Sequence, residues 1–310
     1  MSKVKSLLHL LRIRQYYKNI LILAGIFFSE RLFETPLYLP LILGFIILCC
    51  ASSFNYIIND IIDVEHDRKH PEKMKKKPLA SGQIPIYYAL ILLIAIVSLM
   101  IICIILLNPN IVFISMVILI IITGQAYNHL FKKYAFIDIL VLSTGYLWRA
   151  LAGCVIINEY VSPWLFLAIF EIAMFLSIAK RKSDLLYLGA DKAIEHKKVY
   201  SQYSSKLLDQ FHVMIATSLF MTYSLYIILR FFNSFESDPV LTEQYIVIFT
   251  IPISLYIIMR YMYLTSKIPE IGSKTEKALF DKGIILAGIC LFLILSYTFY
   301  YSELLNLFLG

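Results

Sequence analysis

Residues 54–82 read FNYIINDIIDVEHDRKHPEKMKKKPLASG, a run of acidic and then basic side chains set directly against an apolar segment. Charge beside a hydrophobic span is costly, so its arrangement needs a reason. Asn59, Asp60, Asp63 and Asp67 are spaced by one, three and four, which on a helix gathers them on roughly one face with their oxygens aimed into a common volume. Carboxylates crowded in this way repel one another unless a cation sits between them, and hard oxygen ligands suit a divalent metal carrying phosphate. Arg68, Lys69, His70, Lys73, Lys75, Lys76 and Lys77 follow at once and offer donors to phosphate oxygens that the metal does not reach, while Pro71 and Pro78 break the helix into a loop. The stretch reads as a magnesium-diphosphate site. Asp60, Asp63 and Asp67 are its expected metal ligands and catalytic carboxylates, with Asn59, Arg68, His70, Lys73 and Lys77 on the substrate side. A solvated loop obeying the positive-inside bias explains the lysines but leaves the aspartate register without a cause.

Outward from this stretch the chain is apolar. With 60% hydrophobic residues, 16% charged residues and a mean hydropathy of +0.76, it is too greasy for a soluble domain and reads as an all-α polytopic membrane bundle. Apolar runs near 17–34, 37–58, 85–107, 110–128, 135–157, 160–179, 209–232, 243–264 and 283–302 predict about nine spans in a single membrane domain, 1–310. All but three of the 28 basic residues (Arg31, Arg149 and Arg230) fall in segments on one side of that layout. The intervening connections are short or acidic, so the N-terminus and the motif loops are expected in the cytoplasm and the C-terminus outside. The net charge of +7 then describes a membrane-facing surface and implies no nucleic-acid partner. The five cysteines lie inside predicted helices without metal-ligand spacing and are assigned to packing. No compact apolar leader with a small-residue cleavage site is visible, so the first span is expected to direct insertion.

Three further stretches carry polar chemistry. RIRQYYKN at 12–19 sets Arg12, Arg14 and Lys18 before the first apolar run, with Tyr16 and Tyr17 at interface depth. Tyr127–Gly153 contains Lys132, Asp138 and Arg149; Arg149 lies eleven residues beyond Asp138, which returns it to nearly the same helix face about 16 Å deeper. An arginine at that depth calls for a polar cavity with an anion, or an ion pair with Asp138 or Glu171. AKRKSDL at 179–185 places Lys180 and Asp184 four apart, where a local pair would leave Arg181 free for a ligand.

The motif Asn59–Asp67 matches NDxxDxxxD in full and resembles the first signature of the UbiA-like membrane prenyltransferase superfamily. The continuations DRKHP and KPLASG, the opening RIRQYYKN, the segment YNHLFKK with its single Asp138, and KRKSDL resemble one branch, the polyprenyl-phosphate phosphoribosyltransferases. Lys77, Leu79 and Tyr16 stand where that branch usually has arginine, isoleucine and tryptophan. The resemblance runs in order from Arg12 to Asp281, where Pro269, Glu270 and Asp281 are similar to the branch's ending. It implies a UbiA-like helical bundle in a bacterial-type cytoplasmic membrane, using Mg2+, with the site on the cytoplasmic side. It also implies transfer of 5-phosphoribose from 5-phosphoribosyl 1-diphosphate to a decaprenyl-type polyprenyl phosphate. On this resemblance Lys18, Tyr127, Lys132, Asp138, Arg149, Lys180 and Arg181 join the substrate-binding set. A prenyl-diphosphate:aromatic prenyltransferase shares the fold and first motif but more often shows a second carboxylate-rich motif. A transporter would be expected to show inverted repeats and charge on both faces.

The charge asymmetry makes a topological prediction. A reporter fused to the C-terminus should lie outside the cytoplasm, and tags at Lys75 and Lys192 inside; finding the C-terminus and the Lys192 loop on one side would break the orientation or the odd span count.

Overall fold

The structure is a computed structural model that describes residues 3–68, 74, 77–189, 193–194, 197–232, 242–268, 277–278, 280–301 and 303. The described residues fold into helices and 3₁₀ turns, with no strand among them. Eight of the helices are long and apolar enough to cross a membrane, and the chain is an integral membrane protein. Its contacts group into two compact units, one formed by 1–131 with 144–161 and the other by 132–143 with 162–310.

The first unit is built around α3 (Tyr38–Ile62), half of whose apolar window is buried, compared with 11% for α5 (Ile86–Leu107). Leu41, Gly44, Ile47, Leu48, Ala51, Ser52, Asn55 and Asn59 recur at three- and four-residue intervals along its buried side. That side meets α1 (Lys3–Leu11), α5 and α6 (Ile111–His129). The Asn108–Pro109–Asn110 sequence makes the α5–α6 turn. Asn108 takes the left-handed conformation (φ 47°) that ends α5, and the Asn110 side chain accepts from the Phe113 amide to cap α6. The helix expected to end at 58 instead runs on to Ile62, carrying Asn59 and Asp60 on its last turn.

The predicted first span, 17–34, is built differently. Arg12 enters in a left-handed conformation (φ 52°), a 3₁₀ helix runs from Ile13 to Leu23, and α2 (Ala24–Phe28) completes the segment. A 3₁₀ helix rises about 2 Å per residue, so these 16 residues reach about 30 Å, the thickness of the hydrocarbon layer, in fewer residues than an α-helix needs. Three residues per turn also puts Tyr16, Asn19 and Ile22 in one row. Asn19 and Ile22 are fully buried, and the Tyr16 and Ser53 hydroxyls share a 2.7 Å hydrogen bond. The row packs closely on α7 (Ile137–Ile156), whose latter part belongs to this unit. A Cβ at Gly153 would fall inside the Ile22 carbonyl oxygen, and one at Gly25 would stand 2.9 Å from the Cys154 sulfur.

In the second unit α8 (Pro163–Leu188) packs lengthwise on α9 (Ser205–Phe231). The unit also holds α10 (Thr242–Ile248), α11 (Thr250–Lys267) and α12 (Lys282–Phe299). Phe175, Ile178, Ala179, Tyr200, Leu208, Ile215, Tyr261 and Leu264 form its core. Asp281, expected to close the motif series, caps α12 by accepting from the Gly283 and Ile284 amides and receives a two-bond contact from Arg260 (3.1 and 3.0 Å). Pro269 and Glu270 lie outside the described residues.

Gly153→Ala should cost about 1–3 kcal/mol of stability, because a backbone oxygen cannot step aside as a side chain can. Gly288→Ala in α12, where a Cβ would meet nothing within 4 Å, should be neutral or slightly stabilising. Thermal midpoints of the two variants in detergent check the pair.

Candidate functional site

In the first unit, α3 stops at Ile62 with Asp63 as its cap, and α4 (Val64–Arg68) begins a new helix. The four motif residues therefore do not share one continuous helical face. The break leaves Asp63 partly exposed, while Asp60 and Asp67 are buried at 4% and 2% accessibility. Two buried carboxylates need a cation, and one amine serves both. Lys77 Nζ lies 2.9 Å from Asp60 Oδ1 and 2.5 Å from Asp67 Oδ2. Burial works against its charge, but the hydrogen bonds and charges of Asp67 and Asp60 outweigh it and hold the ammonium pKa above the usual lysine value.

The turn after Lys77 explains why the amine stands there. Pro78, Leu79 and Ala80 are buried, Ser81 N–H donates to the Lys77 carbonyl (3.0 Å), and Gly82 takes φ 72°, a conformation that favours glycine. KPLASG thus plugs its backbone into the core and leaves one long side chain to reach the carboxylates.

Arg12, read from sequence as an interfacial anchor, completes the group. Its guanidinium lies 3.2 Å from Asp60 Oδ1 and 4.4 Å above the Tyr56 ring. Lys18 donates to Gln15 (3.4 Å) and stands 5.7 Å from the Tyr146 ring. Arg68 is exposed, Tyr127 sits in the last turn of α6, and His70 and Lys73 lie outside the described residues.

Deeper in the same unit is a second cation. Arg149 Nε donates to Asn19 Oδ1 at 2.7 Å and Nη2 to Ser52 Oγ at 3.3 Å, and Nη1 bonds the Gly145 carbonyl. All three partners are neutral, so the guanidinium charge is held in place without being cancelled. Asp138 and Glu171, the carboxylates the sequence offered as alternatives, are engaged within the second unit: Asp138 binds Arg181, and Glu171 accepts from Ser218.

The second unit gathers Asp138, Arg181 and two tyrosines. Asp138 is fully buried; Arg181 Nε donates to its Oδ2 at 2.9 Å and the Tyr203 hydroxyl to its Oδ1 at 2.6 Å. Arg181 is therefore not left free by a Lys180–Asp184 pair: it is 2% exposed and paired, and Asp184 accepts from the Tyr200 hydroxyl at 2.6 Å. Burial first, then the Asp138 contact, pushes the Tyr203 phenol up, and Tyr200 is raised chiefly by burial. Lys180 is exposed and Lys132 half-buried. Sequence reasoning missed Lys197, on the connection between α8 and α9, where the charges of Arg181 and Lys180 act on it. Burial, followed by those two cations, pulls its pKa down to about 7.

The donors are of the type Mg2+ takes: two buried carboxylates converge on one cation position, and the side-chain oxygen of the neighbouring residue Asn59 is buried with no hydrogen-bond partner among the described residues. Among the described residues no group of three or more His, Cys, Asp or Glu side chains is gathered closely enough to hold a metal ion. The ammonium of Lys77 occupies the convergence point, and Asp63 stands off it.

The profile of the UbiA prenyltransferase family matches residues 19–267, four-fifths of the chain. The chain belongs to the UbiA prenyltransferase family and is a membrane-embedded transferase by class. It is similar to the decaprenyl-phosphate phosphoribosyltransferase of Mycolicibacterium smegmatis, 31% identical over 72% of this chain and 70% of that one. It is likewise similar to that of Corynebacterium glutamicum, 28% identical over 70% of this chain and 65% of its relative. The chain thus spans just under two thirds of the latter protein. Its fold is similar to that of a UbiA homolog from Archaeoglobus fulgidus solved bound to DMAPP and Mg2+, with TM-score 0.62, 19% identity, and 94% and 97% of the two chains covered.

Lys197 supplies a pH test. Its pKa lies below the 10.5 of an ordinary lysine, so the unfolded chain binds more protons than the folded one between about 7 and 10.5. Relative to Lys197→Met, wild-type stability should fall as pH drops from 10 to 7 and level off below 7. Parallel melting curves across that range check the sign, and a constant difference would place the amine in an ordinary environment.

Proposed function

We propose that this chain transfers the 5-phosphoribosyl group of 5-phosphoribosyl 1-diphosphate to a decaprenyl-type polyprenyl phosphate, releasing diphosphate with Mg2+ as cofactor. Residues 1–310 act as one membrane domain, with the site on the cytoplasmic side of a bacterial-type inner membrane. The relatives' names and the order of the motifs support the reading. The observation that carries it is Arg149, whose hydrogen-bond partners among the described residues are all neutral, in the unit that holds the aspartates.

The phosphoribosyl donor carries a 5-phosphate that a prenyl diphosphate lacks, and Arg149 offers that anion a counter-charge. Its partner Ser52 lies eight residues before Asp60 on α3, about 12 Å along the helix, which separates a second anion from the carboxylate group. Lys132, Lys180 and Arg181 are the further cations assigned to phosphate, with Asp138 and Tyr203 fixing the Arg181 guanidinium. Lys18 and Tyr127 complete the substrate-binding set.

Asp60, Asp63 and Asp67 would hold the metal, with the Asn59 amide oxygen beside them. When bound there, Mg2+ would neutralise the charge that gathers on the departing diphosphate. Arg68, His70, Lys73 and Lys77 serve the remaining diphosphate oxygens. The C1–oxygen bond to diphosphate breaks with its electron pair leaving on oxygen, and a phosphate oxygen of the acceptor forms the new bond to C1. Because that oxygen is already anionic, no proton has to be removed and no general base is needed.

Purified protein given labelled phosphoribosyl diphosphate and decaprenyl phosphate should move label into lipid. Prenyl diphosphate with an aromatic acid in parallel should give none, and transfer from it would overturn the reading. Asp60→Asn should lower turnover by about 100-fold or more while the protein still reaches the membrane.

A further inference from the structure

Lys77 does more than neutralise two carboxylates. It stands at the point on which they converge, with its backbone pinned by the buried Pro78–Ala80 turn and its side chain long enough to swing. We propose that Lys77 is an internal stand-in for the metal, one that makes the site bind a divalent cation and a diphosphate together and resist the cation alone. The inference rests on the metal-diphosphate part of the proposed function and is independent of the phosphoribosyl part.

The two buried carboxylates, Asp60 and Asp67, are bridged by the partly exposed Lys77 ammonium, and Asp60 also meets Arg12. A divalent cation entering at the convergence point must displace the ammonium. Lys77 would then lose its contacts to both carboxylates at once. An ammonium pushed off its partners in a largely enclosed site is unfavourable, and the free metal meets that cost. A diphosphate arriving with the metal removes it, because the displaced amine finds phosphate oxygens as its new partners. Ligand and metal are then coupled through a single side chain that can hold either the carboxylates or the phosphate.

Asn59 gives an independent sign that this group is arranged for a guest larger than an ammonium. Its side-chain oxygen is buried without a partner among the described residues, whereas both carboxylates are satisfied. A buried acceptor left unmatched is expensive, and an incoming hard cation would satisfy it.

The test measures binding and needs no turnover. Mn2+ is titrated into the detergent-solubilised full chain by calorimetry, with and without methylenediphosphonate as a diphosphate that cannot be hydrolysed. Wild type should bind Mn2+ at least about fivefold more tightly when the diphosphonate is present, the low end of a coupling between linked sites. Lys77→Met should bind Mn2+ alone more tightly than wild type and lose most of that gain, while Lys77→Arg keeps it. Unchanged affinity for Mn2+ alone in the Met variant, or an undiminished gain, overturns the proposal. If the Met variant fails to fold, wild type alone decides: a thermal shift with Mn2+ equal to that with Mn2+ plus diphosphonate would also overturn it. Because neither probe contains ribose or a prenyl chain, these outcomes do not depend on which donor the enzyme uses.

Discussion

A carboxylate at the end of a membrane helix has no water to stabilise it and must be met by a positive charge, a hydrogen-bond donor or a metal. Asp60 and Asp67 impose this constraint on the first unit. Their answer, the ammonium of Lys77, dictates the sequence around it: a proline and two small or apolar residues that bury the turn, and a glycine that lets the chain leave it. Arg12 adds the second charge from the start of the chain, and its left-handed backbone starts the 3₁₀ segment that runs down α3. Local backbone choices that look unrelated in sequence therefore serve one electrostatic requirement.

The 3₁₀ segment repeats the lesson with neutral groups. An α-helix would have turned Tyr16, Asn19 and Ile22 progressively away from one another, whereas three residues per turn keeps them in line. In line, Tyr16 reaches Ser53, Asn19 reaches Ser52 and Arg149, and Ile22 closes on Gly153. The poorer hydrogen-bond geometry of a long 3₁₀ run is offset by a polar row that holds an arginine in the interior of the unit.

The second unit handles its charge in the opposite way. Asp138 and Arg181 are mutually satisfied and nearly inaccessible, and Tyr203 takes the remaining carboxylate oxygen. Such a pair fixes geometry more than it adds stability, since removing either partner leaves the other buried and alone. Lys197 carries the cost of this environment: burial first, and then the charges of Arg181 and Lys180, lower its pKa.

The sequence by itself determined that this is a helical membrane protein with an acidic and basic centre following its second apolar run, because hydropathy and charge register are properties of consecutive residues. The α5–α6 turn and the position of α3 were legible for the same reason. Tertiary structure alone decided which charges meet. Arg12 and Asp60 are 48 residues apart, Arg149 and Asn19 are 130 apart, and Arg181 and Asp138 are 43 apart; no local spacing rule distinguishes these partners from their neighbours. It also decided that Ile13–Leu23 is a 3₁₀ helix, since that conformation wins only when a row of side chains three apart has α3 and Gly153 to pack against. Periodicity within a segment reveals which face is buried, but the partner waiting on that face belongs to the folded chain.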